Sequence, residues 1–396
     1  MKKTASRLLA LALTVSLVLS GCSSSGGTQE QTGSESETGS TTETTESTES
    51  SETEETAQTE HEPITDLVLA KVSSSELATF NLLNSETSAD TQYLTNIWDG
   101  LLEVNNYGEL VPCIAEEWST EDGGLTWTFN LREGVKWVDM NANEKADCIS
   151  RDFATSLEWV LNFHKNDSAN TTMPLEMIEG ANEYYEYTKT LSMEEAYALD
   201  ASDGSKFMEM VGIELPDDYT IIYHCVAPKP YFDSVATYAC LYPISQGLID
   251  ELGVDGVKAM NNETMWYNGC YTMTSYVQGN EKVFTKNPAY WDQDCFLFDT
   301  VTIRMVESTD IAFQLYQTGE VDYTDLSESN LVTISGNENN DYYDYLVERP
   351  ADKYSYQIHF NYNKLLEDGT PDTNWNTAIA NEAFRKSWYY GLNLSE

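Results

Sequence analysis

The segment Gly124-Leu-Thr-Trp-Thr-Phe-Asn-Leu-Arg-Glu-Gly-Val-Lys-Trp137 is the most informative stretch of this sequence. Large apolar residues occupy alternate positions in its first half, namely Leu125, Trp127, Phe129 and Leu131. Polar residues fill the positions between them, and this period of two is typical of a β-strand with one buried face. The turn signal Asp122-Gly123-Gly124 stands directly before the first of these residues. The segment therefore predicts a half-buried strand that begins after a tight turn.

Strand and helix patterns alternate on both sides of this segment. Further strands are predicted at Asp66–Val72, 219–226, 269–277, 282–286, 301–306 and 353–361. Helical patterns cover 90–102 and 381–394, and another helix begins near Ser150, the predicted N-cap, with Asp152 in its first turn. Because strands and helices interleave throughout, the predicted fold class is α/β.

The amino terminus has the pattern of an export signal. Lys2, Lys3 and Arg7 precede an apolar run over residues 8–19. That run is too short for a membrane-spanning helix, which needs about 20 residues, and is typical of a secretory signal peptide. It ends in Leu19-Ser-Gly-Cys22, which resembles the lipobox of bacterial lipoproteins. The resemblance implies lipidation of Cys22; the alternative is an ordinary signal peptide with an incidental cysteine.

Residues 23–62 have a composition typical of a spacer. They are almost entirely Ser, Thr, Glu, Gly and Gln, with no aromatic residue, lysine or arginine. Such a segment cannot bury enough apolar surface to offset chain entropy, so we expect it to be disordered. As a flexible coil it would span about 35 Å on average.

The charge of the chain limits the kinds of partner. The whole sequence has 66 acidic and 21 basic residues. Without the 11 acids of 23–62 and the 3 bases of 1–22, residues 63–396 keep 55 acids and 18 bases, a net charge of −37. This field repels nucleic acid, which we exclude as a partner.

Motifs of catalysis and metal binding are missing from the sequence. It has no G-x-S-x-G elbow, phosphate-binding loop or H-E-x-x-H pattern, and its histidines lack the spacing of metal ligands. The cysteines after Cys22 form no C-x-x-C pair, so they are either disulfide partners or small buried side chains. Adjacent acidic pairs such as Glu116-Glu117 and Asp217-Asp218 are interpreted as solvated surface. We therefore predict no enzymatic activity, no cofactor and no metal.

Several blocks of residues 63–396 together form a recognisable combination. They are Trp98-Asp-Gly-Leu-Leu-Glu103 with Gly108-Glu-Leu-Val-Pro-Cys-Ile-Ala-Glu-Glu-Trp118; the Gly124–Trp137 segment with Ser150-Arg-Asp-Phe153; Tyr267-Asn-Gly-Cys-Tyr271 with Lys286-Asn-Pro-Ala-Tyr-Trp291; Thr318-Gly-Glu-Val-Asp322; and Phe384-Arg-Lys-Ser-Trp-Tyr-Tyr-Gly-Leu-Asn393. In this order they resemble motifs of the family 5 extracellular solute-binding proteins, the oligopeptide- and dipeptide-binding subunits of ABC importers. One departure is the longer loop at 139–147, and lengthening a surface turn costs little.

The resemblance implies a two-lobed, periplasmic-binding-protein-like fold of type II with an inserted subdomain at about 105–225. On this basis 1–22 is the lipoprotein signal peptide, 23–62 the spacer, 63–320 the first lobe and 321–396 the beginning of a second lobe. Family members continue well beyond the helix predicted at 381–394, so the resemblance also implies that the second lobe is truncated here.

The function implied by the resemblance is capture of oligopeptides by closure of a cleft, followed by delivery to a membrane permease. The implied partners are an oligopeptide, the ABC permease and ATPase subunits, and the membrane through a lipid anchor, with the protein itself a monomer. Alternatives are a non-peptide solute on the same fold (an oligosaccharide, haem or a nickel chelate), a surface enzyme such as a glycosidase, or a non-functional fragment.

The resemblance also suggests residues that contact the ligand. A cleft-lining turn falls on Asn84, Ser85, Glu86 and Thr87, where Glu86 would meet a cationic group or a backbone amide of the ligand. A cleft-edge turn falls on Asn268, Gly269 and Tyr271. Tyr323 and Asp325 follow the expected crossing into the second lobe.

Overall fold

A computed structural model describes residues 65–85, 87–166, 169–348 and 358–392. The described residues fall into two compact units, 65–347 and 348–392, and each is described by itself. Cys22, the 23–62 segment and Glu86 lie outside the described residues. None of the described helices is both long and apolar enough to cross a membrane.

The regular elements alternate between strands and helices, as an α/β fold requires. The strands are β1 Asp66–Val72, β2 Leu102–Val104, β3 Leu110–Pro112, β4 Ala115–Ser119, β5 Thr126–Leu131, β6 Lys136–Val138, β7 Glu144–Asp147, β8 Ile213–Asp217, β9 Thr220–His224, β10 Tyr271–Val277, β11 Glu281–Lys286 and β12 Thr300–Val306. The helices are α1 Ser88–Leu94, α2 Ser150–Leu161, α3 Thr172–Met177, α4 Ala181–Lys189, α5 Met193–Tyr197, α6 Lys206–Met210, α7 Phe232–Val235, α8 Gln246–Lys258, α9 Thr309–Thr318, α10 Glu328–Ser335, α11 Thr373–Ala380 and α12 Glu382–Gly391.

The first sheet pairs β1, the first described strand, with β12, the last. Its order is β1-β12-β11-β10, with β1 and β12 parallel and the other neighbours antiparallel. Along β12 the buried residues are Val301, Ile303 and Met305, so one face of this strand packs on the core. A parallel pair needs a crossover connection, and here the whole chain between β1 and β12 supplies it.

The second sheet contains β5, the strand predicted from the alternation of Leu125, Trp127, Phe129 and Leu131. Its order is β4-β5-β9-β8, and all neighbours are antiparallel. Trp127 lies opposite Tyr223 and Phe129 opposite Ile221, and all four side chains are buried. The predicted strand is confirmed, but its buried face begins at Trp127, because Leu125 precedes the strand and is 41% exposed.

Helix α2 differs from the predicted helix at its first turn. The prediction that Ser150 is the N-cap was wrong by one residue, since Ile149 has the extended backbone of the N-cap and Ser150 is helical. The Ser150 hydroxyl instead donates to the Asp217 carbonyl at 2.7 Å. The Asp152 carboxylate accepts from the Ile149 N–H at 3.2 Å and from Trp137 Nε1 at 2.8 Å. Asp152 therefore both caps α2 and ties it to β6.

The helix predicted over 90–102 is the main error of the sequence analysis. Helix α1 ends at Leu94, and β2 begins at Leu102. Ile97 and Trp98 are fully buried, so the apolar spacing indicated burial correctly but not helix. The backbone between α1 and β2 bonds to a distant segment instead: the Ile97 carbonyl accepts from the Gly269 N–H at 3.2 Å, and the Asp99 N–H donates to Asn268 Oδ1 at 2.9 Å.

Asp99 joins two of the blocks that carry the family resemblance. Its Oδ2 accepts from the Tyr290 hydroxyl at 2.8 Å and lies 3.4 Å from Trp291 Nε1. Burial raises the pKa of the Asp99 carboxyl to about 6, although these hydrogen bonds act in the opposite direction. The carboxylate thus fixes the segment after β11 to the segment before β2.

The unit 348–392 contains α11 and α12. The predicted final helix is confirmed as α12, with the Asn381 side chain accepting from the Ala383 N–H at 2.9 Å. The rings of Trp375 and Phe384 pack edge to face with centroids 6.3 Å apart. Of the strand predicted at 353–361, residues 353–357 lie outside the described part of the chain, and 358–361 are not in a strand.

Candidate functional site

The described residues of the turn at 84–87, namely Asn84, Ser85 and Thr87, are each held by a hydrogen bond. Trp159 Nε1 donates to Asn84 Oδ1 at 2.9 Å. The Ser85 hydroxyl donates to Asp90 Oδ2 at 2.8 Å, and Thr87 Oγ1 accepts from the Asp90 N–H at 3.2 Å as the N-cap of α1. Asn84 is partly buried, Ser85 is buried and Thr87 is exposed. Thr87 therefore presents the most accessible side chain among the described residues of this turn.

Asp90 and Asn170 fix this turn from two sides. The Asp90 side chain is fully buried and accepts from the Ala78 N–H at 2.6 Å, in addition to its bond with Ser85. Asn170 Nδ2 donates to the carbonyl oxygens of Ser85 at 2.7 Å and Leu83 at 3.1 Å. Sequence reasoning missed both residues. Asp90 could have been found, because Thr87-x-x-Asp90 has the spacing of a helix start, whereas Asn170 meets this turn only through folding.

The turn at Asn268, Gly269 and Tyr271 supports the loop between α1 and β2. Asn268 is buried against Asp99, and a side chain at Gly269 would bring its Cβ to 2.6 Å from the backbone of Ile97. The Tyr271 hydroxyl donates to the Phe298 carbonyl at 2.8 Å. The polar groups of this turn thus bond to the protein itself, and contact with a ligand stays a prediction for these residues.

Tyr323 and Asp325 lie beside the free edge of β1. Tyr323 forms a parallel bridge with Leu69, and Asp325 Oδ2 lies 3.3 Å from Lys71 Nζ. The Tyr323 hydroxyl is 3.3 Å from Asp325 Oδ1. The chain therefore extends the first sheet by one short parallel segment at the point where the sequence predicted a crossing.

The carboxyl end of β1 is the most suitable place for a ligand in this unit. In open α/β sheets, ligands bind beyond the carboxyl ends of parallel strands. Here β1 is flanked by two parallel neighbours, β12 and the segment at Tyr323. The chain that leaves β1 at this end runs through Ser73–Ser75 to Glu76 and on to the turn at 84–87. The end of β1, Asp325 and the start of the 76–87 segment form the candidate site.

Glu76 and Lys282 form an ion pair that the sequence analysis missed. Lys282 Nζ lies 2.6 Å from Glu76 Oε1, and the lysine side chain is fully buried in β11. The rings of Tyr93 and Tyr276 face the ammonium, with centroids 5.1 Å and 5.3 Å away. Glu76 also accepts from the Gly279 N–H at 2.7 Å. The pair therefore fastens the segment that follows β1 to the β10–β11 hairpin.

The electrostatics of Glu76 favour its charged form. Burial alone would raise the pKa of the Glu76 carboxyl, but bonds from Lys282 and from the Gly279 and Leu77 N–H groups hold it below its usual value. A fixed negative charge therefore stands near the end of β1. It is neutralised within the protein and is positioned to orient the segment rather than to react.

The described residues offer no cluster of side chains suited to a metal ion. No group of three or more His, Cys, Asp or Glu side chains among them is placed to hold a metal ion. The acidic neighbours Glu116 and Glu117 are exposed, as predicted, and Glu116 pairs with Arg132 at 2.9 Å. What the site offers is backbone at a sheet edge, hydroxyl groups and fixed charges, which suit binding.

Comparisons with known proteins agree on one family. A profile described as "Bacterial extracellular solute-binding proteins, family 5 Middle" matches residues 109–396. The chain is 26% identical to the oligopeptide-binding protein SarA of Streptococcus gordonii over 321 residues, covering 79% of this chain and 45% of SarA. It is 28% identical to the oligopeptide-binding protein AliA of Streptococcus pneumoniae over 326 residues, covering 79% of this chain and 46% of AliA.

A solved structure shows the same fold. The complex of Haemophilus influenzae OppA with RPPGFSPFR superposes with a TM-score of 0.57 at 22% identity, over 69% of this chain and 49% of that one. The predicted α/β, periplasmic-binding-protein-like fold is thus confirmed. The chain spans about half the length of these similar proteins.

Proposed function

Because the chain belongs to the family 5 bacterial extracellular solute-binding proteins, we propose that it captures oligopeptides outside the membrane and delivers them to an ABC permease. The observation that carries this proposal is the family match over residues 109–396. We place the solute at the carboxyl end of β1, beside its parallel neighbour β12. SarA and AliA, oligopeptide-binding proteins by name, support the choice of peptide as the solute.

Recognition in this proposal depends mainly on main-chain hydrogen bonds. An extended peptide that lies beside the chain leaving β1 exchanges N–H and C=O bonds with it, as in strand addition. The hydrogen-bonded turn at 84–87 keeps this segment in place before a ligand arrives, which lowers the ordering cost of binding. Closure of two lobes about a hinge then excludes water from the peptide.

We assign the individual residues to different roles. Thr87 and Glu86 face the ligand, and Glu86 meets a cationic group or a backbone amide. Asn84, Ser85, Asn268, Gly269 and Tyr271 position the loops that surround the site, since their described polar contacts are made within the protein. Tyr323 and Asp325 border the site next to Lys71.

The proposed location is the outer face of the cell membrane. Cys22 carries the lipid, residues 23–62 act as a flexible spacer, residues 63–320 form the first lobe and 321–396 begin the second. Several acyl chains together hold a protein stably on a bilayer, whereas a single chain binds it only marginally. The protein acts as a monomer with the permease and ATPase subunits as its partners, and it binds its solute without chemical change.

Thermal denaturation in the presence of candidate solutes tests the proposal. The chain from residue 22 onward, carrying Cys22→Ala, is heated with a pool of tri- to hexapeptides or with a pool of oligosaccharides. A peptide at 100 times its Kd stabilises the folded state by about 2.7 kcal/mol, which we expect to raise the Tm by about 5 °C. A rise with oligosaccharides and none with peptides would reject the peptide assignment. Turnover of either pool would reject the binding role.

Glu86→Gln tests the assignment of one residue. If Glu86 meets a cationic group, the variant loses affinity for peptides that begin with lysine about tenfold more than for the same peptides with an acetylated amino terminus and a norleucine side chain. Glu117→Gln, the same change at an exposed position of β4, serves as the matched control. Equal affinities of wild type and Glu86→Gln for the lysine peptides would remove Glu86 from the site.

A further inference from the structure

Two cysteines that are distant in the sequence are brought together next to the first sheet. Cys270 is half-buried directly before β10, and Cys295 is exposed in the loop between β11 and β12. Tyr271 follows Cys270, and Phe296 follows Cys295. The rings of Tyr271 and Phe296 pack edge to face with their centroids 5.6 Å apart, so the two cysteine segments are in contact. The bond from the Tyr271 hydroxyl to the Phe298 carbonyl, at 2.8 Å, holds the same two segments together.

Contacts on the other side of Cys295 bring the loop back to Cys270. The Cys270 carbonyl accepts from the Asn287 N–H at 2.9 Å. The Asn287 carbonyl in turn lies 3.3 Å from Gln293 Nε2, two residues before Cys295. The loop is therefore tied to the Cys270 segment both before and after Cys295.

The ionisation of the thiols agrees with this geometry. Burial raises the pKa of Cys270, and the charges of Asp99, Cys295 and Glu103 raise it further. Burial and the neighbouring Asp292 carboxylate raise the pKa of Cys295 to about 11, with Asp99 and Glu103 acting in the same direction. The two thiols thus share one acidic environment.

We propose that Cys270 and Cys295 form a disulfide bond in the exported protein. Exported proteins meet oxidising conditions in which disulfides persist. The bond requires the two Cβ atoms to lie about 3.5–4.5 Å apart, and the contacts before and after Cys295 keep the two cysteine segments adjacent. The other described cysteines, Cys113, Cys148, Cys225 and Cys240, are all buried. Of the described cysteines, Cys295 has the exposed thiol, which an external oxidant can reach.

The reaction proceeds by exchange with an external disulfide, for which oxidised glutathione is the probe. The Cys295 thiolate attacks one glutathione sulfur and forms a mixed disulfide, and one glutathione thiolate leaves. The Cys270 thiolate then attacks the Cys295 sulfur, and the second glutathione leaves. The two protein thiols lose two protons and two electrons, and one glutathione disulfide becomes two glutathione thiols. Because only the thiolate reacts, the uncatalysed rate should rise about tenfold per pH unit between pH 7 and 9.

The bond would close a loop that contains the β10–β11 hairpin. A disulfide stabilises the folded state mainly by restricting the unfolded chain. We expect reduction with dithiothreitol to lower the Tm of the oxidised protein by about 5 °C. The segment that carries Lys282 would then be fixed covalently as well as by its ion pair.

Mass spectrometry of the chain from residue 22 onward, carrying Cys22→Ala and equilibrated in a glutathione redox buffer, tests the proposal. We expect a mass about 2 Da below that of the reduced protein, and a proteolytic fragment that links Cys270 to Cys295. Cys295→Ser and Cys295→Ala should abolish the link and the effect of dithiothreitol on the Tm, whereas Cys240→Ser should leave both unchanged. Complete alkylation of all six thiols after oxidation would overturn the proposal, as would a link that joins Cys270 to another cysteine.

Discussion

Replacing Glu76 with Gln removes the carboxylate that lies 2.6 Å from the buried ammonium of Lys282. The lysine side chain is fully buried, whereas the Glu76 side chain keeps 20% of its exposure. The variant therefore leaves a buried charge without its counter-charge, but it keeps an oxygen that can accept from the Gly279 N–H. The change tests whether the ion pair, rather than shape alone, holds the segment after β1.

The expected loss of stability follows from the burial of the lysine. Removing one partner of a buried ion pair costs about 3–5 kcal/mol. Because Glu76 retains some access to water and Gln preserves one backbone contact, we expect the lower end, about 3 kcal/mol. The rings of Tyr93 and Tyr276 supply part of the remaining stabilisation of the ammonium.

Urea denaturation at pH 7, followed by tryptophan fluorescence, measures this loss. Lys282→Met is the matched control, since it keeps most of the volume and removes the charge. The double variant Glu76→Gln with Lys282→Met should be at least 1 kcal/mol more stable than Glu76→Gln alone, because its core contains no unpaired charge. If Glu76→Gln lies within about 0.5 kcal/mol of the wild type, or if the two changes are additive, the ion pair does not have the role assigned to it.

The remaining predictions concern burial, packing and one hydrogen bond. Burial raises the pKa of the Asp152 carboxyl to about 7 from an ordinary 3.8, so the folded state holds this proton more tightly, and the resulting stabilisation is complete below about pH 4 and lost as the pH rises through 7. Between pH 4 and pH 8, the free energy of unfolding measured with urea should therefore fall by up to about 4 kcal/mol more for the wild type than for Asp152→Asn. Equal falls in the two proteins would contradict the raised pKa. Gly269→Ala forces a Cβ to within 2.6 Å of neighbouring backbone and should destabilise the folded state by about 2 kcal/mol or more. Gly391→Ala is the control, because no atom lies within 4 Å of its added Cβ, and it should change the stability by less than about 1 kcal/mol. Similar Tm values for the two variants would refute the packing argument. Asn84→Ala leaves the buried Trp159 N–H without its acceptor and should lower the free energy of unfolding in urea by about 1–3 kcal/mol. Asn84→Asp keeps an acceptor oxygen and should keep most of that stability.

Local periodicity predicted all four strands of the first sheet but only β5 and β9 of the second, since β4 and β8 were not predicted. β1, β5, β9 and β10 fall within predicted segments, and β11 and β12 each begin one residue earlier than predicted. These strands were predictable because a strand with one buried face has apolar residues at every second position. The same reasoning failed over 90–102, where the spacing of Ile97 and Trp98 reflected burial from several sides. Their backbone partner, the turn at Asn268 and Gly269, is far away in the sequence, so no local pattern could show that the helix ends.

The candidate site was only partly predictable for a related reason. The resemblance to a family pointed to the 84–87 turn and to Tyr323 and Asp325, and the structure places the latter two beside β1. The Glu76–Lys282 pair could not be predicted, because a buried lysine in a strand is not distinguishable by sequence from an exposed one. Its partner becomes its neighbour only when β11 enters the sheet.

The contact between Asp99 and the Tyr290-Trp291 pair has a consequence for how such chains diverge. A substitution that removes the acid leaves two partly buried donors, the Tyr290 hydroxyl and the Trp291 N–H, without this acceptor. Homologues that replace Asp99 with an apolar residue should therefore also replace Tyr290, for instance with phenylalanine. Substitutions in the two blocks should therefore be correlated. Such covariation would identify remote homologues in which neither block is recognisable by its own sequence.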